Sequence, residues 1–239
     1  MCQDCGCGDV NLVPLDLQQR ILARNDDTAA HNRLHFRERG IFAVNLMGSP
    51  GSGKTAVLEA TARALGGSEL AAVAGDLATD NDARRLENAG IRSRAITTGQ
   101  ACHLDAEMVH HALHHFDITG TRYFFIENVG NLVCPAVYDL GQAANVVALS
   151  LTEGEDKPLK YPTMFAKADL VLLTKVDLAL HLPRVNMGAI YDALARVMPD
   201  PQVISIAAYE NVGMKRWVEW LMLKREELLA PRLVGEVVL

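Results

Sequence analysis

"IFAVNLMGSPGSGKT" (41–55) joins a run of apolar residues to a glycine-rich turn, and its reading decides the fold. The run is what a strand covered on both faces needs. Gly48, Gly53, Lys54 and Thr55 then fit G-x-x-x-x-G-K-[ST]. That pattern builds a phosphate-binding loop: its glycines, with Gly51 and Ser52 between them, let backbone N–H groups wrap phosphate oxygens at a helix N-terminus. Lys54 reaches the β- and γ-phosphates as a catalytic cation, and the Thr55 hydroxyl ligates Mg²⁺.

Outward from this turn, short aliphatic runs recur at 70–76, 93–98, 123–128, 145–151, 169–175 and 202–208, separated by helical segments. The alternation predicts a doubly wound α/β domain with a mostly parallel sheet of about seven strands. The expected organisation is a Cys-rich tail (1–14), an arm of one or two surface helices (15–40), the nucleotide domain (41–230) and a C-terminal tail (231–239). The net charge of −6 argues against nucleic acid. No apolar run is long enough to span a membrane, and the first residues do not read as a signal peptide. A cytoplasmic location is expected.

"TKVD" supplies Thr174, Lys175 and Asp177, where guanine-specific phosphate-loop proteins carry N-K-x-D. A carboxylate there accepts from two guanine N–H groups, and adenine presents no such pair. The plain alternative is a strand end followed by a helix cap. A second base contact is expected from the backbone of Ala208, although Ala207 stands where related proteins have Ser. Glu127 occupies the place of an aspartate near Mg²⁺, with Gly130 as a γ-phosphate contact. Asp76 and Asp80 are either carboxylates of a switch segment, Asp76 as a catalytic one, or helix caps.

Five cysteines remain to be explained. Cys102 and His103 follow one strand and Cys134 another, so they can converge into a Zn²⁺ or Ni²⁺ site; the alternative is two buried small hydrophobes. If a helix runs from His103, Glu107 and His111 share its face and add ligands. Cys2, Cys5 and Cys7 sit too close together for a disulfide framework and suit metal instead. His110, His114 and His115 read as a solvated helix face.

"GSPGSGKT", "GQACHLDA", "ENVGNLVCPA", "EGEDKPLKYP" and "TKVDL", in this order, resemble HypB, the GTPase family that helps deliver nickel to nickel–iron hydrogenase. The opening "CQDCGC" is similar to that family's high-affinity nickel motif. The resemblance implies slow hydrolysis of GTP with Mg²⁺, a nickel metallochaperone role in hydrogenase maturation, and a second metal site at Cys102, His103 and Cys134. It also implies a GTP-dependent homodimer, with Lys157 or Lys160 near phosphate. A HypA-like nickel-delivery protein and the hydrogenase large subunit are the implied partners. The long His-rich stretch of many relatives is missing, since residues 8–40 hold only His31 and His35. Two other functions are weighed: a urease-type nickel GTPase, which lacks such a cysteine start, and a zinc-stabilised GTP-binding module without a delivery role.

Overall fold

The computed structural model describes residues 15–99 and 101–230. Seven strands form where the aliphatic runs predict them: β1 Phe42–Gly48, β2 Leu70–Asp76, β3 Arg92–Thr97, β4 Tyr123–Glu127, β5 Ala144–Ser150, β6 Leu170–Thr174 and β7 Val203–Ile206. All adjacent pairs are parallel, in the order β3-β2-β4-β1-β5-β6-β7. Parallel pairing requires crossovers, and helices supply most of them. These are α1 Leu15–Glu38, α2 Lys54–Leu65, α3 Asn81–Asn88, α4 Ala106–His114, α5 Lys157–Lys160, α6 Pro162–Ala166, α7 Met187–Val197 and α8 Met214–Leu229.

The helices cover both faces of the sheet. On one, α2, α3 and α8 enclose Val57, Leu58, Leu86 and Trp217 against alternate residues of the central strands. Trp217 is fully buried and its indole N–H donates to Thr61 Oγ1 at 2.8 Å. Truncating a residue placed so would cost about 3–5 kcal/mol. On the other face, α1 and α4 cover β2 and β4, while α6 and α7 cover β5 and β6.

The arm is a single helix, as one of the two expectations had it, but it carries a buried face and does not lie on the surface alone. Ala29, Asn32 and Phe36 of α1 are buried, and Phe36 packs on Phe124 with ring centroids 5.0 Å apart. Asn25 Oδ1 accepts from the Ala106 N–H at the start of α4, at 2.9 Å. Among the described residues, no helix is long and apolar enough to cross a membrane.

Because every strand runs the same way, the ends of β1, β2, β4 and β6 gather along one edge. Strand order reverses at β1, between β4 and β5. Ligands of open parallel sheets bind at such a point.

Candidate functional site

A cavity of about 680 Å³ opens along that edge. Its floor is the loop between β1 and α2. Gly51 and Gly53 hold φ of 73° and 95°, left-handed values that side chains resist. At Gly48 a Cβ would meet the Ala148 carbonyl oxygen at 2.4 Å, so this position accepts glycine alone. Lys54 is buried, and its Nζ donates to the Gly48 and Ser49 carbonyls at 3.4 and 3.3 Å. Across the cavity, a Cβ on Gly130 would stand 2.8 Å from Pro50, so the segment after β4 rests directly on the phosphate loop.

Glu127 ends β4 beside this loop and is 2% exposed. The Thr55 hydroxyl lies 2.7 Å from Glu127 Oε1 and 2.9 Å from Asp82 Oδ1. Burial drives the Glu127 carboxyl from its ordinary 4.5 up to about 7, against the pull of Lys54 and the Thr55 hydrogen bond. Desolvation likewise lowers Lys54, with Glu127 foremost among the carboxylates that oppose it. Two buried oxygens here, Glu127 Oε2 and Ser52 Oγ, have no protein partner among the described residues. A Mg²⁺ ion fits this arrangement: Thr55 and Glu127 offer hard oxygens, and the ion would meet the unpaired one. Asp82, in the first turn of α3, was not singled out from sequence, yet it completes the carboxylate pair around Thr55.

Asp76 lines the cavity at the end of β2, its carboxyl held low first by the Thr79 hydroxyl at 2.7 Å. Asp80 does not line it. It precedes α3, faces outward and pairs with Arg84 at 2.8 Å. Thr174, Lys175, Asp177 and Ala208 line the far end. Lys175 adopts the left-handed conformation with φ of 58°, which turns the chain so that Asp177 follows at the cavity wall. Thr174 Oγ1 donates to the Ser52 carbonyl at 2.5 Å, tying this end to the phosphate loop. Ala207 and Val212 exchange both backbone hydrogen bonds, which closes the last loop without the serine of related proteins.

Cys102, His103 and Cys134 do converge, their donor atoms all within 4.8 Å of one another. The two Sγ atoms are 2.9 Å apart, and Cys102 Sγ is 3.8 Å from His103 Nδ1. His103 is buried and stacks on Tyr138 with ring centroids 4.0 Å apart. Two thiols and an imidazole in such a cluster form a soft donor set suited to Ni²⁺ or Zn²⁺.

Asn128, the residue after Glu127, is fully buried and connects this cluster to the nucleotide cavity. Its Oδ1 accepts from the Leu104 N–H at 3.1 Å and the Val129 N–H at 3.0 Å. Its Nδ2 donates to Asn45 in β1 at 3.1 Å. Asn131 Nδ2 donates to the Cys102 carbonyl at 3.1 Å, a second tie between the two loops. Leu104 itself seats against Gly75, where a Cβ would meet it at 2.9 Å. The sequence signal was there: an amide ends the apolar run 123–128, and another interrupts 41–47.

Several expectations change. The helix from His103 starts later, at Ala106, because extended Asp105 caps it by accepting from Met108 N at 2.8 Å. Glu107 and His111 are therefore not in helical phase with His103; both are exposed, and neither joins the cluster. Within one chain Lys160 stays outside the cavity, paired with Asp156 at 2.7 Å, while Lys157 stands over the Tyr161 ring. The "EGEDKPLKYP" segment touches the phosphate loop through Glu153, which accepts from the Ser49 hydroxyl at 2.5 Å. Cys2, Cys5 and Cys7 lie outside the described residues.

A parallel sheet with this loop and a guanine-type "TKVD" corner defines a phosphate-loop nucleotide-binding protein of the GTPase class. The family model "CobW/HypB/UreG, nucleotide-binding domain" matches residues 42–203, and the chain belongs to that family. It is 48% identical over 220 residues to a hydrogenase maturation factor HypB of Azotobacter vinelandii, covering 92% of this chain and 72% of the relative. Against HypB of Escherichia coli K12 the identity is 44%, covering 88% and 73%. A crystal structure of HypB from Helicobacter pylori in complex with nickel superposes with a TM-score of 0.80 at 36% identity, covering 85% of this chain and 96% of that one. The signal recognition particle protein from Aeropyrum pernix, at 18% identity and a TM-score of 0.53, shares the fold alone. The HypB resemblance read from the motifs thus extends to the whole nucleotide domain.

Proposed function

We propose that this chain is a slow GTPase and nickel metallochaperone that helps insert nickel into nickel–iron hydrogenase during maturation. The observation that carries the reading is the Cys102–His103–Cys134 cluster, hydrogen-bonded through Asn128 to the strand end bearing Glu127. Bound Mg²⁺ would supply charge neutralisation at the β- and γ-phosphates. The chain's own part is positional: the phosphate-loop N–H groups hold the oxygens, Lys54 adds a buried cation, and Glu127 and Thr55 would seat the ion. Asp177 and the Ala208 backbone would read guanine, and Gly130 would meet the γ-phosphate. Asp76, on the cavity wall, is the catalytic-side carboxylate of a switch segment.

In this reading Cys2, Cys5 and Cys7 bind nickel first, in a reducing cytoplasm. A GTP-dependent homodimer, a HypA-like protein and the hydrogenase large subunit then act in delivery, with Lys157 or Lys160 reaching phosphate across the dimer. The relatives named HypB and the nickel complex support hydrogenase over a urease-only role. Zinc can occupy the internal cluster on donor chemistry alone. The test measures nickel affinity of a chain lacking residues 1–8 in GDP and in a non-hydrolysable GTP analogue, alongside GTP turnover. Linkage at typical coupling predicts a difference of about 5–150-fold between nucleotides. Equal affinities would make the cluster structural, and no turnover would remove the GTPase assignment.

A further inference from the structure

His110 and His114 lie one turn apart on α4, with their Nε2 atoms 2.9 Å from each other. The surrounding network fixes which nitrogen of His110 is available. Asn32 is wholly buried, and its Nδ2 donates to the carbonyls of Ala106 and Leu140 at 2.9 and 3.2 Å. Carbonyls only accept, so Asn32 Oδ1 is the acceptor left over, and it stands 3.0 Å from His110 Nδ1. Neutral His110 therefore carries its proton on Nδ1 and points the bare Nε2 lone pair at His114. An imidazole tied through its second nitrogen to a fixed acceptor is the form that metal-binding histidines take.

Two more imidazoles approach from α1. His31 sets its ring edge-on to His110, with centroids 4.9 Å apart. One turn further, His35 has a buried Nε2 with no hydrogen-bond partner among the described residues, within electrostatic reach of His31, His110 and His114.

We propose that His110 and His114 form a two-imidazole transition-metal site on the seam between α1 and α4, separate from the cysteine cluster, with His31 and His35 beside it on α1. At 2.9 Å the two Nε2 atoms are close enough for one ion to take both at metal–nitrogen bonds of about 2.0–2.1 Å. Imidazole nitrogens suit Ni²⁺, Cu²⁺ and Zn²⁺. His114 is exposed, so water would fill the remaining positions and the ion would exchange faster than one held by thiolates. The site stands on imidazole geometry and does not depend on the GTPase reading.

Equilibrium dialysis of the full-length chain against Ni²⁺ tests it, with the thiolate-to-nickel charge-transfer absorption recorded on the same samples. His114→Ala and His110→Ala are each expected to lose one equivalent of nickel while the thiolate band stays unchanged. His114→Ala decides the matter, because that side chain is exposed while His110 also holds Asn32. Unchanged stoichiometry in His114→Ala overturns the site and leaves a hydrogen bond between two imidazoles. Loss in His110→Ala alone overturns it too, since that marks a packing effect. So does a thiolate band that falls together with the stoichiometry.

Discussion

Glu127→Gln isolates the cost of keeping a carboxylate at the phosphate loop. In the unfolded chain the group titrates near 4.5, and in the folded chain near 7. Between those values the folded state binds more protons than the unfolded one, so stability must fall as pH rises. Over about pH 5 to 8, one such group forfeits about 2.5 kcal/mol, at 1.36 kcal/mol per unit of pKa. The neutral amide of the variant would not titrate and escapes this loss, but it withdraws attraction from buried Lys54, which trims the gain. The expected result is a stability difference, variant minus parent, that grows by about 2 kcal/mol between pH 5 and 8. Denaturant melts of both proteins without nucleotide or Mg²⁺ measure it. A difference constant with pH would refute the premise that Glu127 is charged against its surroundings. Saturating Mg²⁺ and GTP should reverse the order, because binding then stabilises only the parent strongly.

Asp177→Asn should weaken GTP binding by about 1–3 kcal/mol and narrow the preference over ATP, read by titration of both nucleotides. Equal affinities in the parent would sink the guanine assignment. Asn128→Ala should cost about 2–4 kcal/mol in denaturant melts, since it strands the Leu104 and Val129 N–H groups away from water. The same variant should abolish any effect of nucleotide on metal affinity at Cys102, His103 and Cys134 while retaining some binding of each ligand.

The sheet and the phosphate loop were legible because their signals are local. Each strand is a contiguous aliphatic run, and the loop's glycines sit at positions where a side chain would collide or strain the backbone. The thiol–imidazole convergence was legible from topology, since both segments follow parallel strands ending at one edge. What escaped depended on helical phase. Asp80 and Asp82 are equivalent in sequence, but α3 turns the first outward to Arg84 and the second inward to Thr55. The buried face of α1 escaped because two of its inward residues, Asn25 and Asn32, are amides that complete the start of α4 and blur the apolar stripe. His103 was given helical spacing because nothing in "CHLDAEM" but Asp105 says where the helix begins.

The asparagines explain how two sites that differ in chemistry can answer to one movement. The Asn128 side chain makes three protein hydrogen bonds, one to β1, one to its own turn and one to the residue after His103. None can be replaced by water without opening the core, because Asn128 and Asn45 are both buried. A displacement of Glu127 therefore either drags Leu104 along or leaves a buried group unpaired, at about 1–3 kcal/mol. That range equals the coupling free energy ordinarily found between linked sites. The hydrogen bond from Leu104 N–H to Asn128, beside the second tie from Asn131 to the Cys102 carbonyl, is thus enough to carry the coupling proposed above without a longer pathway.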